Sequence, residues 1–446
     1  MANQRCGSSA ECPRSAGHRS ENTALEGSTT PSYASSRSSR RRVLTVSTPP
    51  ATPTRLTIVQ PTIPSYRIPL FRSLAMTSGL RVVVRAGMTS PGSPVTPESA
   101  TSAEYVFKAA PTKRIAGFLY QPAQWTAAGD PDCDVLVLSW NTRYVLLIPA
   151  LLRARRRRLP VILWGHGTST KRNDSGARRW LRQAVARWAT LCLVYGETAS
   201  RELRRDRRLK RKVVVAPNAL DQRPIRLERL RLAARPDVLD DFRQNESLGK
   251  CHIVLFVSRV EAGRRLDLLV RAMQQVVARD PLALLVIVGD GALVTGLRRL
   301  ADEQGVGGKV RFVAGTYSEE ILSRWFMVSR VFVAPEALGL NVLHAFGYGL
   351  PVITSDNARV HSPEFEYLRP GVNGLLYRAG SPQQLATQIL KILDSDSLQS
   401  KLASGARATV AGNGVTMPRM VQAFAAAVRL ASDGLPTNPA ITQAPT

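Results

Sequence analysis

The chain has 446 residues, 44% of them hydrophobic and 21% charged, with a formal net charge of +28. That length exceeds one ordinary core and that composition excludes a wholly disordered chain, so two globular domains with tails are expected. The charge is concentrated, because residues 55–220 carry 28 Lys+Arg against 9 Asp+Glu; this predicts an anionic partner for the first half, whether membrane surface, acceptor or nucleic acid.

Residues 1–54 are rich in Ser, Thr, Pro and Arg, almost without apolar periodicity, and are expected to be a disordered basic tail. No apolar core of a signal peptide is visible there. The best uncharged apolar run, VLLIPALL at 145–152, is too short to span a bilayer. A cytoplasmic protein with at most peripheral contact to the inner face of a membrane is therefore expected. Cys6, Cys12, Cys133, Cys192 and Cys251 form no CxxC pair and no metal spacing with His, and the last three read as buried thiols.

From Leu56 the texture changes. LTIVQ (56–60), LRVVVRAG (80–87), DVLVLSW (134–140), PVILWGHG (160–167), LCLVYG (191–196) and KVVVAPN (212–218) are short apolar runs ending in turn residues. Helical patterns fall between several of them, as at 176–189, where Trp180, Val185 and Trp188 are placed on one face. Such alternation predicts a parallel sheet covered on both sides over residues 55–220. Residues 221–249 are charged, lack a strand pattern and read as an interdomain connection. A second series of strands at 252–259, 283–291, 309–315, 330–336 and 351–356, with helices between, predicts a second doubly wound domain over 250–410. A helix at 411–432 is expected to pack back on the first domain, and 433–446 reads as a loose tail.

Two stretches of the second half carry chemistry. In VSRVEAGRRLDLL, Arg259 ends a strand and Arg264 opens the next helix, placing two cations where a diphosphate needs them. In VFVAPEALGLNVLHAFGYGLPVI, Glu336 follows a strand and precedes a helix, so backbone N–H groups near Gly339, Leu340 and Asn341 can face an anion, with His344 on the next turn. In the first half, His166 stands between Gly165 and Gly167 at a strand end, which permits close approach to a ligand. Tyr66 and Arg67, in the loop after the first strand, are candidate acceptor-side contacts. Asp130, Asp132 and Asp134 form a D-x-D-x-D string that reads as the polar entry to a strand. LLRARRRRLP (151–160) and RELRRDRRLKRK (201–212) are the densest basic runs and suit anionic lipid headgroups. No nucleic-acid motif accompanies them, so nucleic acid is not an expected partner.

These motifs, in this order, carry a resemblance. Residues about 252–395 resemble the donor domain of family 4 glycosyltransferases, and segments of 56–220 resemble the acceptor domain. The resemblance implies a GT-B fold, with two Rossmann-like domains facing across a cleft. It implies retaining transfer of a sugar from a UDP- or GDP-sugar to a polysaccharide or lipid-linked oligosaccharide, without metal or other cofactor. Arg259 and Arg264 would contact the diphosphate, Glu336 the transferred sugar, His166 the anomeric region, and backbone at Val313 and Ala314 the base. Three positions depart from the family pattern. Arg264 replaces a Lys, Arg265 replaces the following Gly, and His344 replaces the second Glu of E-x7-E, which bonds the donor ribose in the family. A catalytically silent nucleotide-sugar binder and a basic polyanion-binding protein are therefore kept as alternatives.

Overall fold

The computed structural model describes residues 52–88, 104–168, 175–412 and 414–433. Most of the two expected tails lies outside these residues, as do Cys6 and Cys12. The first half is built on β1 (Thr54–Thr62), β2 (Leu80–Gly87), β3 (Val106–Ala109), β6 (Val135–Ser139), β7 (Val161–Gly165), β8 (Leu191–Val194) and β9 (Val213–Val215). They form one parallel sheet in the order β3-β2-β1-β6-β7-β8-β9. The central strands are buried along their whole length, which is why they read as continuous apolar runs. Between β3 and β6 a short antiparallel hairpin, β4 (Lys113–Ile115) and β5 (Phe118–Tyr120), turns through Ala116 and Gly117, both at positive φ.

Helices α1 (Ile68–Ala75), α2 (Pro122–Ala128), α3 (Leu147–Arg156), α4 (Gly176–Trp188) and α5 (Glu197–Arg204) cover this sheet. In α4 the core-facing stripe runs through Leu181, Val185 and Ala186, a four-residue step that rotates Trp180 and Trp188 outward. The single face expected for Trp180, Val185 and Trp188 is thus corrected: only Val185 is buried. Asp130, Asp132 and Asp134 are tied to arginines at the strand entry, Asp130 to Arg85 and the other two to Arg55 at 2.7 and 2.8 Å.

The segment expected to be an interdomain connection folds as two helices, α6 (Gln222–Ala233) and α7 (Pro236–Asn245). Their few apolar contacts are enough to dock them. Ile225 and Leu232 of α6 are buried, Gln222 donates to the Leu343 carbonyl at 3.2 Å, and Phe242 of α7 meets the Trp325 ring edge-on at 4.9 Å.

The second sheet comprises β10 (His252–Val257), β11 (Ala283–Val288), β12 (Val310–Val313), β13 (Ser329–Val333), β14 (Val352–Ser355) and β15 (Gly374–Tyr377). All are parallel, in the order β12-β11-β10-β13-β14-β15. Helices α8 (Leu266–Arg279), α9 (Val294–Glu303), α10 (Glu319–Val328), α11 (Asn341–Tyr348), α12 (Pro382–Leu393) and α13 (Asp396–Thr409) flank it. The last helix, α14 (Met417–Ser432), returns to the first sheet. Its Met420, Phe424 and Val428 are fully buried in the same cluster as Leu56, Ile58 and Trp164, and Phe424 meets Trp164 edge-on at 5.1 Å.

Candidate functional site

In an open parallel sheet, loops at the strand C-termini are the natural ligand site. β10 and β13 are hydrogen-bonded neighbours, so the loops that follow them lie side by side. The first carries Arg259 and Arg264, the second Glu336. The two loops are stitched together: the Glu336 N–H donates to the Arg264 carbonyl at 3.3 Å, and the Arg264 guanidinium donates to the Ala337 carbonyl. Arg259 is exposed and pairs with Glu261 at 2.9 Å. Burial pulls the Arg264 pKa down, Glu261 opposes this, and the neighbouring Arg259 lowers it further. An anion placed against this pair would relieve that cost.

Beside these loops lies a cavity of about 980 Å³, walled by both halves of the chain. Arg259, Leu340, Asn341 and His344 line it from one half, and Ser65 and Tyr66 from the other. Two glycines make the floor possible. A Cβ on Gly289 would lie 2.0 Å from the Ser258 carbonyl oxygen, and one on Gly291 would lie 2.0 Å from that of Val260. The G-D-G run at 289–291 therefore packs one strand-end loop against the next. Asp290 between them accepts the Gly315 N–H at 3.0 Å and so fixes the loop Gly315–Tyr317 at the cavity edge.

The departures from the family pattern acquire physical explanations. Arg265 stands at φ 52°, a left-handed conformation that favours glycine, and its guanidinium turns onto Asp267 in two bonds of 3.0 and 2.9 Å. It does not line the cavity. Its charge instead bears on Glu336: burial raises the Glu336 pKa, Arg265 lowers it, and Asp267 raises it again. His344 is engaged through Nε2 with Glu319 Oε1 at 2.9 Å, and Tyr348 donates to the same oxygen.

Other site expectations land differently. The Gly339 N–H is taken by Asn341 Oδ1 at 3.1 Å, so that amide is satisfied within the loop. Val313 closes β12 against the core, and the backbone at the cavity is Gly315–Tyr317 rather than Val313 and Ala314. Arg67 is buried, its guanidinium packed over the rings of Trp164, Tyr195 and Tyr66 at 4.7, 5.1 and 5.3 Å. Cation–π contact offsets the cost of burying its charge, and of the two candidate residues Tyr66 lines the cavity while Arg67 does not. His166 keeps an open face beyond β7, with its ring 5.2 Å from Tyr195. Desolvation by the surrounding walls, and secondarily Arg67, lowers its pKa. Gly167, at φ 70°, allows this turn, since a Cβ there would press on Val194 and Leu203 at 2.8 and 2.9 Å.

Two site residues gave no sequence signal. Glu319 begins α10 in an ordinary helix-start pattern, and only the absence of the usual acid at position 344 could have prompted a search for one. His361 is 2% exposed and supports the Glu336 loop from beneath. It accepts the Leu338 N–H on Nδ1 at 3.1 Å while Nε2 faces the Ser355 carbonyl at 3.0 Å, which places its proton on Nε2.

Two parallel-stranded α/β layers, with their strand-end loops around a shared cavity, define the GT-B class of fold. The Anabaena protein Alr3699/HepE, crystallised with UDP, superposes with a TM-score of 0.67 over 84% of this chain and 99% of its own, at 16% identity. Residues 237–409 match the family described as glycosyl transferases group 1. Among curated relatives, the chain is similar to a GDP-mannose-dependent alpha-(1-6)-phosphatidylinositol monomannoside mannosyltransferase of Mycolicibacterium smegmatis. That match is 28% identical over 50% of this chain and 59% of the relative. It is also similar to the lipopolysaccharide core biosynthesis glycosyltransferase LpsE of Rhizobium meliloti, 34% identical over 31% and 39%. The chain thus spans less than two thirds of the length of these relatives.

Proposed function

We propose that the protein is a retaining, metal-independent glycosyltransferase that moves a sugar from a UDP- or GDP-sugar to a polysaccharide or lipid-linked oligosaccharide. The observation that carries this reading is the pair Arg259 and half-buried Arg264, set beside Glu336 at the open ends of β10 and β13. Relatives named for a GDP-mannose donor and a structural neighbour crystallised with UDP support a nucleotide-sugar donor.

In this reading the acceptor hydroxyl attacks from the face the diphosphate leaves, and a phosphate oxygen takes its proton. The bond from anomeric carbon to phosphate oxygen breaks, and the negative charge goes to the diphosphate. Arg259 and Arg264 stabilise that charge as it develops. Glu336 orients the sugar hydroxyls, and His166 supports the electron-poor anomeric centre. Tyr66 stands on the acceptor side of the cavity. The protein works in the cytoplasm, with its basic first half against an anionic membrane face.

A catalytically silent binder is the second reading, favoured by the engagement of His344 with Glu319. Calorimetry with UDP-, GDP- and ADP-sugars, followed by transfer and hydrolysis assays, separates the two. Binding with turnover is expected, and Arg259→Ala should lower kcat/KM by roughly 10²-fold. Binding without turnover over varied acceptors would favour the silent binder, and no binding would sink both.

A further inference from the structure

Four carboxylates line the cavity, and three are already committed within their own loops: Asp221 to Arg223, Glu261 to Arg259, and Asp290 to the Gly315 N–H. Glu319, the first residue of α10, lines the cavity beside His344 of α11. Two donors from α11, His344 Nε2 at 2.9 Å and the Tyr348 hydroxyl, converge on Oε1. Among the described residues none donates to Oε2. The ring of Phe326 stacks on His344 at 4.7 Å and on Tyr348 at 5.0 Å, so the two donors are themselves held in place. A side chain fixed by two hydrogen bonds through one oxygen presents the other oxygen in a set direction, with its rotamer entropy already spent.

We infer that Glu319 is the carboxylate that accepts the ribose hydroxyls of the nucleotide donor, with His344 and Tyr348 as its positioning residues. This rests on the nucleotide-sugar reading and extends it. The loss of an acid at position 344 is then a relocation: the imidazole occupies the helix position and holds an acid arriving from the neighbouring helix. A vicinal diol calls for an acceptor-only group, which an ionised carboxylate is and an imidazole is not. Burial acts to raise the Glu319 pKa, but the hydrogen bond and charge of His344 and the Tyr348 hydroxyl outweigh it, and the net shift is downward. The group is accordingly ionised near neutral pH.

The test is calorimetry of the whole chain with UDP and GDP and with their 2′,3′-dideoxy counterparts. The wild type should bind one ribonucleotide at least about tenfold more tightly than its dideoxy form, the size of a hydrogen bond to a charged acceptor. Glu319→Gln should bind the dideoxy form as the wild type does while losing most of that ratio. Glu319→Asp, which keeps the charge but withdraws it by one methylene, should lose part of it. A purely structural Glu319 would weaken both nucleotides together and leave the ratio unmoved. Equal binding of ribo and dideoxy forms by the wild type, or an undiminished ratio in both variants, would overturn the assignment while leaving the donor site standing. Failure of the wild type to bind either diphosphate would instead remove the nucleotide-sugar reading and this inference with it.

Discussion

His361 lies under the Glu336 loop with both ring nitrogens engaged and its face stacked on Phe365 at 4.5 Å. Burial depresses its pKa to about 4, from an ordinary value of 6.5. Between those values the unfolded chain binds a proton that the folded chain refuses. The stability held by the neutral ring is thus complete above pH 6.5 and is lost as pH falls toward 4, by roughly 3 kcal/mol. Urea midpoints measured from pH 7.5 to 4 should fall more steeply for the wild type than for His361→Asn; parallel curves would dismiss the histidine as the cause. Ala337, in the same loop, stands at φ 53°. Ala337→Gly should raise the unfolding free energy by about 0.5–1 kcal/mol, measured by denaturant titration, because glycine carries no Cβ penalty there. Arg259, Arg264 and Glu336 were legible at this scale because their chain order is itself a signal. Glu319 and His361 were not, since what marks them is proximity across 25 and 23 positions.

Among the helices, α5 shows how the two halves communicate. Its first N–H groups, those of Glu197 and Thr198, donate to Glu366 of the second half at 2.7 and 2.8 Å. A carboxylate at a helix N-terminus satisfies orphan donors and complements the helix dipole. Gly196 keeps the approach open, since a Cβ there would meet the Glu366 oxygens at 2.8 Å. Glu366→Gln should cost about 1 kcal/mol, with a smaller loss at high salt, as read from denaturation at two ionic strengths. An unchanged midpoint at low salt would show that solvent serves α5 equally well. Strands such as β6, β7 and β11 could be read from sequence because burial on both faces leaves only apolar side chains. The hairpin of β4 and β5 could not, because it is short and mostly exposed. Nor could α6 and α7, since α6 buries only Ile225 and Leu232 and α7 buries none of its side chains.

At the scale of the molecule, the first half carries most of the net positive charge. Exposed Trp180 and Trp188 share α4 with exposed Arg178 and Arg179, a composition suited to the headgroup layer of an anionic bilayer. No helix among the described residues is long and apolar enough to cross a membrane. Flotation should show binding to vesicles containing an anionic lipid, weakened by salt and reduced severalfold by Trp180→Ala with Arg179→Gln. Equal recovery with neutral vesicles would count against a charge-driven contact. The same scale governs α14. Phe424 is fully buried against a sheet that it does not adjoin in sequence, so Phe424→Ala should destabilise the first half by about 3–5 kcal/mol. Hydrogen exchange in β7 and β8 would report it, and unchanged protection there would contradict it.

The return of α14 also sets an order of events during synthesis. Arg67 waits for its contact with Met420, 353 positions later. A nascent chain that has finished the first sheet therefore still lacks part of its cover while the second half is being translated. Leu56, Ile58 and Trp164 share their core with α14 as well as with α1, so that core stays incomplete until the ribosome has delivered α14. The first half is thus completed only after the second, and a truncation before residue 417 would remove the part of that cover which Met420, Phe424 and Val428 supply.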